Sequence, residues 1–289
     1  MKEIIKKIRK YEIKIRKAIN INLQGDYKSI FKGTGLDFDD LRPYNYGDDI
    51  RSINWNITAK QNSPYINTYK EEKEQSVFFL LDVSKSQSIG NDTKNKLHIA
   101  KEICSVLSLS AIRENNQVGL ICFSDIKEKY IKPAKGFSHA YSIIKNLFNL
   151  KTKSSKTSIN KFINYSMNII KKKCIIIFIS DFLDKDYTKN LISMSKKHDL
   201  VLIQIYDKQE IKFPKLGLVP LQESENNTKK WINTSSIKFD DLLFNTYLNN
   251  HQIIKKISTK NGINYLKIRT DENYIPLLIK LFKTRNKYK

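Results

Sequence analysis

Five apolar residues, Val77 to Leu81, run straight into Asp82, and Ser84 and Ser86 follow at every second position. A later apolar run, "IIIFISDF", ends on Asp181, and Thr157 lies between the two in the polar stretch "KSSKTSI". Two carboxylates and three hydroxyls with no His or Cys among them make a hard, low-charge, all-oxygen donor set. Such a set suits Mg²⁺ or Mn²⁺, which prefer octahedral oxygen ligation and keep several waters. The same residue types also favour turns and helix N-caps, so Asp-x-Ser-x-Ser alone reads equally well as a strand exit. What turns the reading toward a cation is the place of Thr157 and Asp181 in the chain.

That place follows from the elements around them. Val77–Leu81 reads as a strand, followed by a helix over Lys94–Arg113 with Leu97, Ala100, Cys104, Leu107 and Ala111 on one face. "QVGLICFS" and "EKYIKP" are strands so close together that they predict a hairpin, hence one antiparallel edge strand. Helices near Ala140–Leu150 and over Ile159–Ile170 precede the strand "CIIIFIS"; a helix over Tyr187–Lys197 precedes "LVLIQIY". An extended piece near Gly217–Leu221, a helix over Phe239–Lys260, the strand "NYLKIR" and a helix from Tyr274 complete the chain. Near-continuous apolar strands alternating with amphipathic helices predict an α/β fold, a doubly wound and mostly parallel sheet covered on both faces. In such a sheet ligands bind beyond the carboxyl ends of the strands, where the strand order reverses. Asp82 and Asp181 each stand just past such an end, and Thr157 immediately precedes a helix.

Ahead of this core, residues 2–22 place Ile4, Ile8, Tyr11, Ile15 and Ala18/Ile19 at helical spacing among Lys and Arg. This basic amphipathic helix either docks on its own domain or lies on an acidic membrane or partner. Residues 23–75 carry Gly25, Gly33, Gly35, Pro43, Gly47 and Pro64 between short extended pieces. The expected division is therefore a helix and β-rich segment over 1–75 and an α/β domain over 76–289. Within the segment, Asp48 and Asp49 can pair with Arg42 or Arg51, and Tyr44 and Trp55 can serve as apolar anchors of a structural clamp.

The chain of 289 residues is 40% hydrophobic, enough for a sizeable core. Its longest apolar runs fall far short of the roughly 20 residues of a membrane span, and the N-terminus lacks the apolar centre of a secretory signal. The expected location is the cytoplasm, with peripheral contact at the inner face of the membrane through residues 2–22 as the variant reading. Cys104, Cys122 and Cys174 stand at unrelated spacings and read as buried, reduced thiols. The net charge of +23 is spread along the chain with no RRM, KH, helix-turn-helix or zinc-finger pattern, so no specific nucleic-acid partner is expected.

Three kinds of activity compete. The first is a non-catalytic, metal-dependent protein-interaction module. The second is a Mg²⁺-dependent phosphoester hydrolase using the same Asp/Ser set. A haloacid-dehalogenase-type mechanism requires Asp-x-Asp, however, and Ser84 stands where the second acid would supply the proton. Neither G-x-x-x-x-G-K-[ST] nor G-x-S-x-G occurs, and no base stands beside a nucleophile, so binding is favoured over catalysis. The third, a basic nucleic-acid or membrane-surface binder, rests on charge and the first helix alone.

The set Asp82, Ser84, Ser86, Thr157 and Asp181 is similar to the metal-ion-dependent adhesion site of von Willebrand factor A domains. The flank "GDYKSIFKGTGLDFDDLRPYNYGDDIRSINWNITAKQNSPYINTYKEEKE" resembles the signature of the bacterial DUF58 family, whose members carry such a domain. "VGLICFSD", "FISDFLD", "KKHDLVLIQIYDKQE" and "GLVPLQESE" resemble its short, soluble branch. The resemblance implies a von Willebrand A-like sheet with one antiparallel edge strand. It implies direct metal contacts from Ser84, Ser86 and Thr157, with Asp82 and Asp181 acting mostly through waters. One position is then left for a carboxylate from a protein partner. It also implies work beside a MoxR-type AAA+ ATPase and membrane von Willebrand A proteins in an assembly or chaperone-like role. Two features depart from the pattern: Asn54 stands where relatives carry Asp, and Ser154, Ser155 and Ser158 are rival ligands beside Thr157.

Overall fold

The computed structural model describes residues 2–20, 36–61, 63–71, 76–91, 94–222 and 229–287. Gly25, Gly33 and Gly35 of the expected β-rich segment lie outside them. In chain order the structure comprises α1 (Lys2–Asn20), β1 (Leu36–Pro43), α2 (Trp55–Gln61), β2 (Tyr65–Glu71), β3 (Ser76–Asp82) and the short β4 (Gly90–Asn91) and β5 (Lys94–Asn95). There follow α3 (Lys96–Arg113), β6 (Gln117–Phe123), β7 (Lys127–Ala134), α4 (Phe137–Phe148), α5 (Ile159–Ile169), β8 (Ile175–Ser180) and α6 (Thr188–Lys197). The chain closes with β9 (Asp199–Tyr206), β10 (Leu218–Gln222), β11 (Lys229–Asn233), α7 (Ile237–Lys260), β12 (Asn264–Arg269) and α8 (Tyr274–Lys287).

The main sheet has six strands in the order β12-β9-β8-β3-β6-β7, all parallel except β7, which pairs antiparallel with β6. This is the expected α/β sheet, and the tight pair "QVGLICFS"/"EKYIKP" is its antiparallel edge. Both faces of the strands are apolar because both are covered. Val77, Phe79 and Leu81 point into a core shared with α1, α3, α4 and α8. Phe78 and Leu80 point into a second core closed by α5, α6 and α7. Gly119 on β6 is required by the packing: a Cβ there would lie 2.6 Å from the ring of Phe78 on the neighbouring strand.

The amphipathic helix docks on its own domain. Ile8 is fully buried and Ile4, Ile5 and Tyr11 pack on the core shared with α3 and α8. Lys7 donates to Glu102 of α3 at 2.5 Å, and Arg9 donates to the Tyr141 hydroxyl of α4. The stripe from Ile4 to Tyr11 is thus engaged internally, and contact of this part of the helix with an acidic surface would rest on its Lys and Arg face. Strands β1 and β2 form an antiparallel sheet of their own. There Arg42 forks onto Asp48 with bonds of 2.8 and 2.7 Å, while Asp49 accepts from the backbone N–H of Arg51. Trp55 is not the apolar anchor expected of it: it opens α2 with 65% of its surface exposed.

Lys94 and Asn95 do not belong to the long helix. They pair with Gly90 and Asn91, and the Asn95 side chain caps α3 by accepting from the N–H of His98 at 2.8 Å. Among the described residues, no helix is long and apolar enough to cross a membrane. The three cysteines are buried thiols, and burial pushes Cys122 and Cys174 up to about 12.

Candidate functional site

Leaving β3, the chain crosses by α3 to β6 on one side, and later returns to β8 on the other side. The carboxyl end of β3 beside β8 is therefore the switch point of the sheet, where the loops diverge and leave a crevice. The register aligns Leu81 with Ile179, so Asp82 and the Ser180–Asp181 pair leave the sheet side by side.

Asp82 is fully buried and ringed by donors. Its Oδ1 accepts from the N–H of Ser84 at 3.0 Å; its Oδ2 accepts from the Ser180 hydroxyl at 2.7 Å and from Gln87 at 3.3 Å. Burial and the nearby charge of Asp181 nonetheless push its carboxyl up to about 7. The turn after β3, continued by a 3₁₀ turn over Lys85–Ser88, brings the hydroxyls of Ser84 and Ser86 to 3.0 Å from each other. Ser86 in turn donates to Asp181 Oδ2 at 3.0 Å. Four of the five expected residues thus form one hydrogen-bonded chain.

Asp181 is aimed by an unusual backbone. The next residue, Phe182, is fully buried and has φ of 58°, a left-handed conformation that is rare for a bulky side chain. The turn lets Asp181 Oδ1 accept from the N–H of Leu183 at 3.1 Å, while its carbonyl accepts from Gln204 and Asn250.

Thr157 arrives on the loop between α4 and α5. Glu128 of β7 holds this loop by accepting from the N–H groups of Lys153 and Ser154, at 3.0–3.1 Å, and from the Ser124 hydroxyl at 2.9 Å. The loop touches the turn after β3 where the Lys85 N–H donates to the Ser155 carbonyl, and Asp184 caps α5 by accepting from the Ile159 N–H at 2.7 Å. Of the five hydroxyl residues in the loop, Thr157 is the one whose buried oxygen has no hydrogen-bond partner among the described residues. An orphaned buried hydroxyl costs about 1–3 kcal/mol, which a bound cation would recover.

The donor set therefore fits a hard divalent cation. Asp82, Ser84, Ser86, Thr157 and Asp181 are the residues that would hold it. Among the described residues no group of three His, Cys, Asp or Glu is placed to hold a metal ion, so a cation here would depend on the neutral hydroxyls. Neutral ligands leave it electrophilic enough to take one further anionic oxygen.

One group of this site escaped the sequence. Lys96, at the start of α3, has no exposed side-chain surface and donates to Asp181 Oδ2 at 2.7 Å and to Glu210 at 2.5 Å. Burial alone would strip its proton, but the charges of Asp181 and Glu210 outweigh burial and hold its pKa above the ordinary lysine value. Nothing in the spacing of the chain singles out this lysine among so many. Ser180 was more legible: it is the one polar residue in the run "IIIFIS" and immediately precedes Asp181.

The chain is 19% identical to the "uncharacterized protein Mb1516" of Mycobacterium bovis over 97% of its own length and 89% of that protein. The same figures hold for "uncharacterized protein Rv1480" of Mycobacterium tuberculosis. Among solved structures it is similar to an aerotolerance-related membrane protein from Bacteroides fragilis, at 16% identity and TM-score 0.47, covering 74% of this chain and 100% of that one. It is also similar to BatB from Bacteroides thetaiotaomicron, at 14% identity and TM-score 0.45, covering 74% and 99%. The VWA domain of SpRpn10 matches at 13% identity and TM-score 0.40, covering 72% and 93%. The family model described as "Protein of unknown function DUF58" matches residues 40–249. The chain belongs to the DUF58 family.

Proposed function

We propose that this protein is a non-catalytic interaction module that engages a protein partner through a bound divalent cation, Mg²⁺ or Mn²⁺. The observation that carries the reading is the buried, unpartnered hydroxyl of Thr157, on the loop that meets the turn after β3 at the Lys85–Ser155 backbone bond, together with the linked Asp82, Ser84, Ser86 and Asp181. In this reading Ser84, Ser86 and Thr157 ligate the cation, Asp82 and Asp181 orient its waters, and a partner carboxylate completes the shell. By the family resemblance, the partners are a MoxR-type AAA+ ATPase and membrane von Willebrand A proteins, and the role is assembly or chaperone-like.

Two features support binding over hydrolysis. Both oxygens of Asp82 are occupied by hydrogen bonds, which makes it a poor nucleophile, and Ser84 stands where an acid/base carboxylate would be needed. Titration calorimetry with MgCl₂ and MnCl₂ tests the site: saturable binding is expected for the wild type and none for Asp82→Ala. An isotherm unchanged by that substitution would remove the site. Hydrolysis of a generic phosphoester that vanished in Asp82→Ala would favour the enzyme instead.

A further inference from the structure

The two ends of the main sheet differ in charge. At the carboxyl ends of the strands, acids crowd the turns: Asp125 after β6, Asp184 and Asp186 after β8, Glu210 after β9 and Asp271 after β12 join Asp82 and Asp181. At the amino ends acids are scarce. Helices α4, α5 and α6 contain no Asp or Glu, and those of α7, Asp240 and Asp241, lie near its start, toward the carboxyl ends of the strands. In their place stand lysines. Lys171–Lys173 lead into β8, Lys196 and Lys197 close α6 ahead of β9, Lys260 closes α7 ahead of β12, and Lys135 follows β7; all seven are exposed. The strand order β12-β9-β8-β3-β6-β7 spreads them across the width of the sheet, about 24 Å at the usual strand spacing.

Little at this end offsets them. Asp199 accepts from Arg285 at 2.5 Å and Glu12 pairs with Arg113 at 3.1 Å, which leaves Glu114 as the one further acid of the described turns. Glu72, Lys73 and Glu74 precede β3 in the sequence, lie outside the described residues and add one net negative charge. A lysine in the last turn of a helix answers the helix dipole, which accounts for Lys197 and Lys260. Lys171–Lys173 lie beyond the end of α5, outside the turn where that attraction acts. One corner adds an aromatic ring. Phe137 opens α4 beside Lys135 with 44% of its surface exposed and the Arg113 guanidinium 5.3 Å from its ring centre. The first N–H groups of α4 have no side-chain cap and open onto the same end. Cations spread over a plane, with an aromatic ring among them, match an anionic headgroup layer, where lysines meet lipid phosphates and aromatic rings settle at the interface. A single-stranded nucleic acid would bind along successive aromatic platforms, and the described turns of this end offer one.

We propose that the amino end of the main sheet is a docking surface for an anionic lipid bilayer, held by lysine–phosphate attraction with Phe137 at the headgroup level. The strands then stand away from the membrane. Their length of about 20 Å carries the Asp82–Asp181 site clear of the lipid, open to a partner on the far side. The surface is independent of the metal reading and distinct from the Lys and Arg face of α1.

Co-sedimentation of the full chain with vesicles, of phosphatidylcholine alone or mixed with phosphatidylglycerol, tests the proposal at low salt in EDTA. Two triple variants reverse charge at this end: Lys171→Glu/Lys172→Glu/Lys173→Glu and Lys196→Glu/Lys197→Glu/Lys260→Glu. A third, Lys185→Glu/Lys212→Glu/Lys215→Glu, makes the same change of net charge in exposed turns at the opposite end. All nine positions are exposed, so the thermal melts of the variants should match wild type. The expected result is binding to the phosphatidylglycerol mixture alone, weakened by salt. It should fall at least tenfold in each of the first two variants and stay within about threefold of wild type in the third. Equal loss in all three would mean that net charge and not this end binds the vesicle, and would overturn the proposal. So would equal binding to both lipid compositions, no binding to either, or tighter binding of a single-stranded oligonucleotide lost in the same two variants.

Discussion

Replacing Lys96 with Met should move folding and cation affinity in opposite directions. In the absence of metal, the Lys96 ammonium is the partner of two buried carboxylates, at 2.7 Å from Asp181 and 2.5 Å from Glu210. Removing it leaves both without a counter-charge, a defect that costs about 3–5 kcal/mol in comparable buried pairs. With metal the sign reverses. Steps of 2.7 Å from Nζ to Asp181 Oδ2 and 3.0 Å from there to Ser86 Oγ put the ammonium within about 6 Å of a ligating hydroxyl. A cation about 2 Å beyond that hydroxyl stands at about 8 Å from the ammonium, where an effective dielectric of about 20 gives about 4 kcal/mol of repulsion between a single and a double positive charge. Rearranged waters and Asp181 itself screen part of this, so the gain on removal is set at no less than about 1.4 kcal/mol, a tenfold tighter Mg²⁺ complex.

Thermal unfolding followed by circular dichroism, in EDTA and in millimolar MgCl₂, reads both effects, with calorimetry for affinity. Lys96→Met should melt below wild type in EDTA and recover most of the difference in Mg²⁺. The double variant Lys96→Met/Glu210→Gln, which removes one charge of each sign, should melt closer to wild type and still bind Mg²⁺ more tightly. A folded Lys96→Met protein that bound Mg²⁺ no better than wild type would refute the placement of a cation beside Ser86.

Four further outcomes are expected. Thr157→Val should leave the metal-free protein as stable as wild type or slightly more so, because it deletes an unpartnered buried hydroxyl, while Mg²⁺ binding by calorimetry falls at least tenfold. Glu128→Ala should weaken Mg²⁺ binding several-fold without touching a ligand, since it releases the N–H groups of Lys153 and Ser154; an unchanged isotherm would mean the Thr157 loop holds itself. Gly119→Ala should cost about 1–3 kcal/mol in urea unfolding, from a Cβ forced against Phe78. The last outcome concerns pH. Burial pushes Glu102 up, but hydrogen bonds from His98 and Lys7 and their charges outweigh it and hold its pKa below 4.5. A carboxylate depressed by folding stabilises fully above its unfolded pKa and loses that contribution as pH falls through the folded value. Unfolding free energy should therefore drop on acidification below pH 4.5 more steeply for wild type than for Glu102→Gln, whose α1–α3 contact no longer titrates.

The strands of the main sheet and the antiparallel edge were legible because parallel strands buried on both faces are almost purely apolar, and "VFFLL" and "CIIIFI" are such runs. That Asp82, Ser84, Ser86 and Asp181 meet was legible because the strand order dictates which loops meet. Other features depend on partners far away in the chain. Strand β11, "KKWIN", is exposed and polar, and only its pairing with β10 makes it a strand. Lys96 reads as a solvated helix residue until Asp181 and Glu210 close around it from loops 85 and 114 residues away. Trp55 shows the converse: an aromatic side chain between Asn54 and Asn56 suggests an anchor, yet it opens its helix toward solvent.

The two edges of the main sheet limit how this protein can aggregate or be extended. An edge strand offers unpaired backbone N–H and C=O groups to any passing strand, and Lys and Pro are common deterrents. Strand β7 carries Lys127, Lys129, Lys132 and Pro133 within eight residues, and β12, at the opposite edge, carries Lys267 and Arg269. Two copies brought edge to edge would press like charges together, and Pro133 offers no N–H to a new neighbour. Growth into a continuous inter-molecular sheet is disfavoured at both ends, which leaves assembly to proceed through side chains presented above the sheet rather than through its backbone.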